Sequence, residues 1–137
     1  MSRILAVDFG QKRSGIAVTD PLQIIANGLA MISSHEIWKF LDDYLKKEAI
    51  ETIVVGYPLQ MDGSGSNSLR YINPFIAKLV KTYPNVRVVQ FDERFTSKIA
   101  QRAMIDGGMK KKDRQNKGMV DQISAVIILQ DYLQSRK

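Results

Sequence analysis

Three carboxylates in separate segments of the sequence could together hold divalent cations. Asp8 follows the apolar run ILAV, Glu93 closely follows the run VRVVQF, and Asp121 lies at the start of the apolar segment VDQISAVIILQDYL. Carboxylate oxygens are ligands that suit Mg²⁺ and Mn²⁺. Two such ions held about 3.5–4 Å apart can activate a water molecule and stabilise the leaving oxygen of a phosphodiester. The chemistry open to these residues is metal-dependent phosphodiester hydrolysis.

Each of these carboxylates also has an ordinary structural interpretation. Asp8 precedes Phe-Gly and could close its strand through a side-chain bond to the backbone of the turn. Asp121 could serve the first turn of a helix, where acids interact favourably with the helix dipole. The hydrolytic interpretation therefore requires that the three side chains converge, and this depends on the elements that carry them.

Hydrophobic patterning predicts an α/β fold with one five-stranded mixed sheet, helices on both faces, and elements in the order β-β-β-α-β-α-β-α-α. The apolar runs 4–7 and 16–18 flank a polar turn and predict a hairpin. Alternation along the first strand places Ile4, Ala6 and Asp8 on one face. The pattern further predicts strands over 24–34, with an irregular start at Asn27-Gly28, 52–56 and 86–91. It predicts helices over 35–49, 69–83, 97–106 and 118–134, and Pro74 is expected to start, kink or interrupt the second of them.

These elements predict where the acids lie. Ligands bind beyond the carboxyl ends of the parallel strands in open sheets of this type. Asp8 and Glu93 share that edge if the first, fourth and fifth strands are parallel neighbours. Asp121 precedes Ala125 by four residues, so it continues the core-facing stripe of the last helix. The prediction is that all three acids meet at one edge of the sheet.

Composition fits an ordinary globular protein and excludes several kinds of site. With 137 residues, 45% hydrophobic and 25% charged, the chain is expected to form a single domain over 1–137. The absence of cysteine excludes disulfides, cysteine-ligated zinc and a thiol nucleophile. The single histidine, His35, opens a predicted helix and is expected to be a surface or capping residue. No leader or membrane-length apolar run is evident, so a cytoplasmic location is expected.

The net charge of +6 is concentrated in one segment. Residues 94–117 contain eight basic side chains against two acidic ones, which accounts for the whole excess. A localised basic patch is typical of proteins that bind a polyanion such as nucleic acid. For the run KKK alone, a solvated loop is the alternative. The basic residues are Arg94, Lys98, Arg102, Lys110, Lys111, Lys112, Arg114 and Lys117.

Four linked segments resemble the YqgF/RuvX family: VDFGQKRSGIAVTD, VVGYPLQMDGSGS, FDERFTS and VDQISAVIILQDYL. Together they cover nearly the whole chain in order. The resemblance implies an RNase H-like fold and a nuclease that matures the 5′ end of pre-16S rRNA in ribosome biogenesis, or that resolves Holliday junctions. It also implies that Asp8, Glu93 and Asp121 are the catalytic, metal-binding acids, with Mg²⁺ or Mn²⁺ as the cofactor and two ions expected.

The resemblance assigns further residues to the substrate. Lys12 and Arg13 in the first turn, and Arg94 directly after Glu93, correspond to phosphate contacts. Gly56, Pro58 and the turn at 62–63 match the loop after the fourth strand. None of the departures from the family pattern removes an acid; they lie at Ser14, where the family often has an aliphatic residue, and at Pro74, Phe95 and Ser124.

Other classes of protein share parts of this pattern. The Asp-x-Gly motif also begins the phosphate-binding segment of actin-like, heat-shock and sugar-kinase proteins, but these need a second lobe for which 137 residues leave no room. VDFG is similar to the Asp-Phe-Gly segment of protein kinases, yet no catalytic loop or glycine-rich motif accompanies it. A non-catalytic rRNA-binding assembly factor remains open, because it would use the same basic patch.

The choice between RNA and DNA is not made by any residue, and pre-rRNA is favoured through the resemblance. A junction resolvase is expected to act as a two-fold dimer, because it cuts two strands symmetrically. Both a monomer and a homodimer fit the sequence. Trp38, Phe40 and Tyr44 on the first predicted helix could belong either to the core or to an interface.

Overall fold

The structure is a computed structural model that describes residues 2–58, 68–92 and 117–135. The strands are β1 (Arg3–Phe9), β2 (Arg13–Thr19), β3 (Ala26–Ser33), β4 (Ile50–Tyr57) and β5 (Arg87–Asp92). The helices of the described segments are α1 (Ile37–Lys47), α2 (Leu69–Thr82) and α3 (Lys117–Ser135), with a 3₁₀ turn at Ser34–Glu36 before α1. The five strands form one sheet in the order β3-β2-β1-β4-β5.

The sheet is antiparallel on one side of β1 and parallel on the other. β1 pairs antiparallel with β2, and β2 pairs antiparallel with β3. On the other side, β1 pairs parallel with β4, and β4 pairs parallel with β5. The parallel pairs are joined by chain segments that contain α1 and α2, as crossover connections require. The first, fourth and fifth strands are therefore parallel neighbours, which is the condition that the sequence analysis set, and their carboxyl ends share one edge.

Helices cover both faces of the sheet. α1 and α2 pack on the face that carries Leu5, Val7 and Val55. α3 packs on the other face, against Ile4 and Ala6. We call these the α1/α2 face and the α3 face. Because both faces of β1 are buried in this way, a polar side chain on that strand is unusual except at the strand ends.

α3 runs in the direction opposite to β1. Leu133, near the carboxyl end of α3, packs in the same cluster as Ala26 and borders the β2–β3 loop. Ala26 pairs with Thr19, whose hydroxyl accepts a hydrogen bond of 2.9 Å from the N–H of Ile4. The carboxyl end of α3 therefore lies near the start of β1. Its amino end is directed toward the edge at which β1 ends.

The predicted elements agree with the structure except at particular places. Pro74 neither starts nor interrupts α2, which continues from Leu69 to Thr82. The third strand was predicted to be irregular at Asn27-Gly28; the structure places the irregularity next to them, at Leu29, because Ile16 pairs with Ala30 while Ala17 pairs with Gly28. The predicted helix over 97–106 lies outside the described residues. None of the helices in the described segments is long and apolar enough to cross a membrane.

The aromatic residues of α1 belong to the core side of the helix. Trp38, Phe40 and Tyr44 are all partly buried against the cluster on the α1/α2 face. The rings of Phe40 and Tyr44 are nearly parallel, at 5° and a centroid separation of 5.9 Å. His35 is exposed in the 3₁₀ turn, as the sequence predicted.

Candidate active site

Asp8 lies at the carboxyl edge of the sheet, one residue before β1 ends. Ile4 and Ala6 on the same strand pack against α3, so alternation places the Asp8 side chain on the α3 face. Asp8 is half-buried. It is thus a carboxylate that continues a row of buried apolar side chains, at the place predicted for the first acid.

The strands on both sides of Asp8 contribute glycine beside it. Gly15 of β2 is its paired residue. In β4, Gly56 follows Val55, which is the partner of Val7. Glycine has no side chain, so neither neighbouring strand fills the space next to the carboxylate on this face. Phe91 of β5 pairs with Gly56 and packs against the α3 cluster, which makes it the next side chain along the same row.

The carboxylate that ends β5, Asp92, belongs to the opposite face. Asp92 pairs with Tyr57, and Tyr57 packs against the core of the α1/α2 face. Among the residues of 2–58, 68–92 and 117–135 whose side chains are described, no three acidic, histidine or cysteine side chains form a group that could hold a metal. Glu93, the second predicted acid, lies outside the described residues.

The third predicted acid is carried by the amino-terminal part of α3. Ala125, Ile128, Leu129 and Tyr132 are buried, so the predicted core-facing stripe of this helix is confirmed. Asp121 precedes Ala125 by four residues, which corresponds to about 6 Å along a helix axis. Since the amino end of α3 is directed toward the edge that carries Asp8, the helix brings position 121 toward that same edge.

The turn between β1 and β2 carries the two basic residues that the resemblance assigned to phosphate. Lys12 is exposed, and Arg13 is half-buried at the start of β2. A Cβ atom at Gly10 would collide with the carbonyl oxygen of Arg13. The turn is therefore closed more tightly than a residue with a side chain would allow, and glycine is needed at this position.

Two serines hold this turn against the end of β3; we call them the serine pair. The Ser34 hydroxyl donates to the carbonyl oxygen of Gly10 at 2.6 Å and lies 2.8 Å from the Ser14 hydroxyl oxygen. The backbone N–H of Ser34 donates to the carbonyl oxygen of Lys12 at 3.0 Å. Ser14 is fully buried. The departure from an aliphatic residue at Ser14 therefore has a structural role, because its hydroxyl is hydrogen-bonded to Ser34.

Most of the predicted basic patch is not described by the structure. Lys117 is the first residue of α3. Ser124, another departure from the family pattern, is half-buried on the same helix, and nothing in the structure explains it. The remaining sequence-predicted positions lie outside the described residues: the turn at 62–63, Arg94, Phe95, Lys98, Arg102, Lys110, Lys111, Lys112 and Arg114.

A groove that the sequence analysis did not predict opens on the α1/α2 face. It encloses about 340 Å³ and is lined by Phe9, Trp38, Arg70, Tyr71, Pro74, Phe75 and Lys78. The spacing of Arg70, Pro74 and Lys78, four residues apart on α2, is the signal that could have indicated it. The contribution of Phe9 and Trp38 depends on how β1 and α1 pack against α2, which that spacing does not give.

Two carboxyl groups with shifted pKa values lie away from this edge. Asp20, in the β2–β3 loop, accepts hydrogen bonds from the N–H groups of Ile25, Ile24 and Leu22 at 2.8, 2.9 and 3.1 Å. These bonds lower the pKa of Asp20, and the bond from Ile25 has the largest effect. Burial raises the pKa of Asp131 on α3. Both groups border the start of β1 rather than its end, so they do not belong to the candidate site.

Comparison with known proteins assigns the chain to a family. The family model described as RuvX, Holliday junction resolvase, matches residues 2–135. The chain belongs to the RuvX family. The resemblance read from the four linked segments is thereby confirmed.

Relatives in the same family are similar along their whole length. A protein of Phocaeicola vulgatus is 56% identical over 137 residues, which cover 100% of this chain and 99% of the relative. A protein of Flavobacterium johnsoniae is 52% identical over 137 residues, with coverage of 100% and 99%. Both carry the name pre-16S rRNA nuclease, given provisionally. The chain is therefore a member of a nuclease family.

Two solved structures share the fold of this chain. RuvC of Thermus thermophilus, in complex with a Holliday junction substrate, matches with a TM-score of 0.60 at 14% identity, over 99% of this chain and 96% of that chain. A Fowlpox virus resolvase, in complex with Holliday junction DNA, matches with a TM-score of 0.50 at 14% identity, over 96% and 99%. At such low identity the likeness shows the fold alone, and it confirms the predicted RNase H-like class.

Proposed function

We propose that this RuvX-family protein is a metal-dependent endonuclease, a hydrolase that matures the 5′ end of pre-16S rRNA in the cytoplasm. The observation that carries the proposal is the position of Asp8, a carboxylate on a central strand at the carboxyl edge of a RuvC-like sheet. The names of the relatives support rRNA as the substrate. Metal dependence is supported by the chemistry of the acidic residues.

The surroundings of Asp8 fit a divalent cation. Its carboxylate is half-buried, and glycine stands beside it on both neighbouring strands, so space is left for an ion and its ligands. Asp92 belongs to the opposite face and is not among the proposed ligands. We therefore assign Asp8, Glu93 and Asp121 as the ligands of two Mg²⁺ or Mn²⁺ ions. When bound, these ions supply an activated water molecule and neutralise charge on the phosphate.

The basic residues of the chain hold the substrate strand in this proposal. Lys12 and Arg13 are next to the edge at which Asp8 lies, and they bind the phosphates nearest the cleaved bond. The guanidinium of Arg13 can make two parallel hydrogen bonds to a phosphate, whereas Lys12 contributes a point charge. The serine pair keeps their turn in place before the substrate arrives. Phosphates farther along the strand contact Arg94, Lys98, Arg102, Lys110, Lys111, Lys112, Arg114 and Lys117.

The test is cleavage of a labelled pre-16S rRNA 5′-leader fragment in Mg²⁺, in Mn²⁺ and in EDTA. Wild type should cleave only with a metal ion, and Asp8→Asn should lose more than about 100-fold in rate, because loss of a metal ligand should cost more than the roughly 10- to 100-fold typical of residues that orient the ligands. The matched control is Asp92→Asn, a change of the same kind on the opposite face of the same edge, which should retain most of the activity. Both variants should still bind the fragment in EDTA.

A Holliday-junction resolvase is the second candidate, because the matching family model carries that description. A four-way DNA junction assayed beside the RNA fragment separates the two candidates. Cutting of the junction but not of the RNA would favour the resolvase, and that enzyme should then be a homodimer in solution. Tight binding of the RNA fragment without metal-dependent cutting of either substrate would instead support a non-catalytic assembly factor.

A further inference from the structure

We propose that the groove between β1, α1 and α2 binds an unpaired nucleobase of the substrate strand, next to the cleavage site. The nature of the ligand rests on the proposed function, since a nucleic-acid substrate supplies both bases and phosphates. The groove itself is a separate feature, made of residues that have no part in metal binding.

The walls of the groove are aromatic side chains that pack against one another. The rings of Phe9 and Phe75 are stacked, at 11° and a centroid separation of 4.2 Å. Tyr71 lies 6.1 Å from Phe9, and Trp38 lies 5.3 Å from Phe75, both in tilted arrangements. Phe75 is almost fully buried, whereas Phe9, Trp38 and Tyr71 are only partly covered. The exposed ring surfaces therefore form a rigid platform of the kind on which bases stack.

Positive charge borders the platform. Arg70 and Lys78 are exposed on α2, one on each side of Pro74 in the sequence, and no acidic residue is among those that line the groove in the described part of the chain. The Lys78 ammonium lies 4.4 Å from the centroid of the Trp38 ring, in a cation–π arrangement. Because Lys78 covers one side of Trp38, the surface left for a base is that of Tyr71, Pro74 and Phe9. Cations beside such a surface match the phosphates that flank a stacked base.

The groove reaches the same edge of the sheet as the candidate active site, on the opposite face. Phe9 follows Asp8 directly in β1, so their Cα atoms are about 3.8 Å apart while their side chains point to opposite faces. A strand that crosses the sheet edge at Asp8 would place a neighbouring nucleotide on the side of Phe9. The hydroxyl of Tyr57, at the end of β4, donates to the Asn73 side-chain oxygen at 2.9 Å, which ties α2 to this edge. The distance between the two sites is therefore fixed by the fold.

The volume of the groove suits a small planar group. About 340 Å³ is at the lower end of the range found for small-molecule pockets. A duplex cannot offer a base to such a groove, because its bases are already stacked and paired. The proposal therefore specifies a single-stranded segment at or beside the cleaved bond.

The single tryptophan of the chain, Trp38, allows a direct test. The full chain is titrated in EDTA with a short single-stranded oligouridylate and, separately, with a fully abasic chain of the same length and charge, while Trp38 fluorescence is followed. The oligouridylate should change the Trp38 emission and bind about five- to tenfold more tightly than the abasic chain, as expected for one stacked base. Tyr71→Leu should remove most of that difference, and Tyr71→Phe should keep it.

Charge is tested with a matched pair of arginines. Arg70→Gln should weaken binding of both chains, whereas Arg87→Gln, at the exposed start of β5 on the opposite edge of the sheet, should have little effect. Circular dichroism establishes that each variant is folded. Photo-crosslinking of an oligonucleotide that contains 4-thiouracil should label a peptide that contains Tyr71.

The outcomes separate this proposal from the proposed function. Equal affinity for the oligouridylate and the abasic chain, or crosslinks that avoid α2, would overturn the nucleobase site even if the protein cleaves RNA. Base-dependent binding that Tyr71→Leu removes would support the site even if no cleavage is found, because the titration contains no metal ion. Binding of neither chain would also overturn it.

Discussion

The hydroxyl oxygens of Ser14 and Ser34 lie 2.8 Å apart and join the start of β2 to the residue that follows β3. Through the further bond from Ser34 to the carbonyl oxygen of Gly10, the pair also reaches the turn that carries Lys12 and Arg13. Residues that are remote in the sequence therefore decide the conformation of a turn beside the candidate active site.

Ser34→Ala should destabilise the protein and weaken nucleic-acid binding. It removes the partners of the buried Ser14 hydroxyl and of the Gly10 carbonyl, and such losses cost about 1–3 kcal/mol. Urea unfolding measures the free-energy change. The matched control is Ser33→Ala, because the Ser33 hydroxyl accepts a long bond of 3.4 Å from the His35 N–H. A double-mutant cycle combines Ser34→Ala with Ser14→Ala, and strictly additive changes in the free energy of unfolding would argue against coupling between the two serines.

Gly10→Ala should change the first turn without altering any charge. The added methyl group would meet the Arg13 carbonyl oxygen, so the turn must shift and carry Lys12 and Arg13 with it. We expect weaker binding of the RNA fragment, measured by electrophoretic mobility shift, and a lower thermal midpoint. Gln11→Ala changes an exposed residue of the same turn and should do neither. Equal effects of the two substitutions would contradict the steric argument.

Metal binding should stabilise the folded protein through Asp8. A ligand that binds only the folded state stabilises it by about 2.7 kcal/mol at a concentration 100-fold above its dissociation constant. Titration with MnCl₂ should therefore raise the thermal midpoint of wild type and of Asp92→Asn, but not that of Asp8→Asn. A midpoint that rises equally in all three proteins would show that the ion binds elsewhere.

The β2–β3 loop should lose stability in acid. Hydrogen bonds from the backbone to the Asp20 carboxylate lower its pKa below the ordinary 3.8. The stability that these bonds give the loop is therefore complete above pH 3.8 and is lost as the pH falls through the lowered pKa. Hydrogen exchange at the amides of Ile24 and Ile25 should show protection that disappears over this acid range. Asp20→Ala should remove the protection at neutral pH, whereas Asp43→Ala, an exposed residue of α1, should not. Protection that survives protonation would contradict this account.

Pro74→Ala should stabilise α2 and yet weaken the binding of single-stranded RNA. Proline has no N–H to donate to the carbonyl of Arg70, and a proline inside a helix costs on the order of 3 kcal/mol. Alanine restores the donor, so the free energy of unfolding measured in urea should increase. The same substitution removes part of the groove wall. A decrease in stability would show that the ring packs against the groove more favourably than the backbone requires.

Periodicity predicted the parts of this molecule that depend on residues near one another in the chain. Alternation placed Asp8 on one face with Ile4 and Ala6, and four-residue spacing identified the buried stripe of α3 that ends at Tyr132. The serine pair joins residues 20 apart, and the groove joins three elements, so neither has a local pattern. Pro74 was expected to start, kink or interrupt α2; the helix continues through it, and Phe75 and Leu79 beyond it belong to the core on the α1/α2 face.

β1 carries a carboxylate and an aromatic ring at consecutive positions, on opposite faces of the sheet. A register slip of one residue would exchange their faces. Asp8 would then lie among the rings of Phe75 and Tyr71, and Phe9 would lie on the α3 face. Substitutions within β1 that keep its length preserve this arrangement, whereas an insertion or deletion inside the strand reverses it. The length of β1 between Arg3 and Phe9 is therefore under a stricter constraint than the identity of most of its side chains.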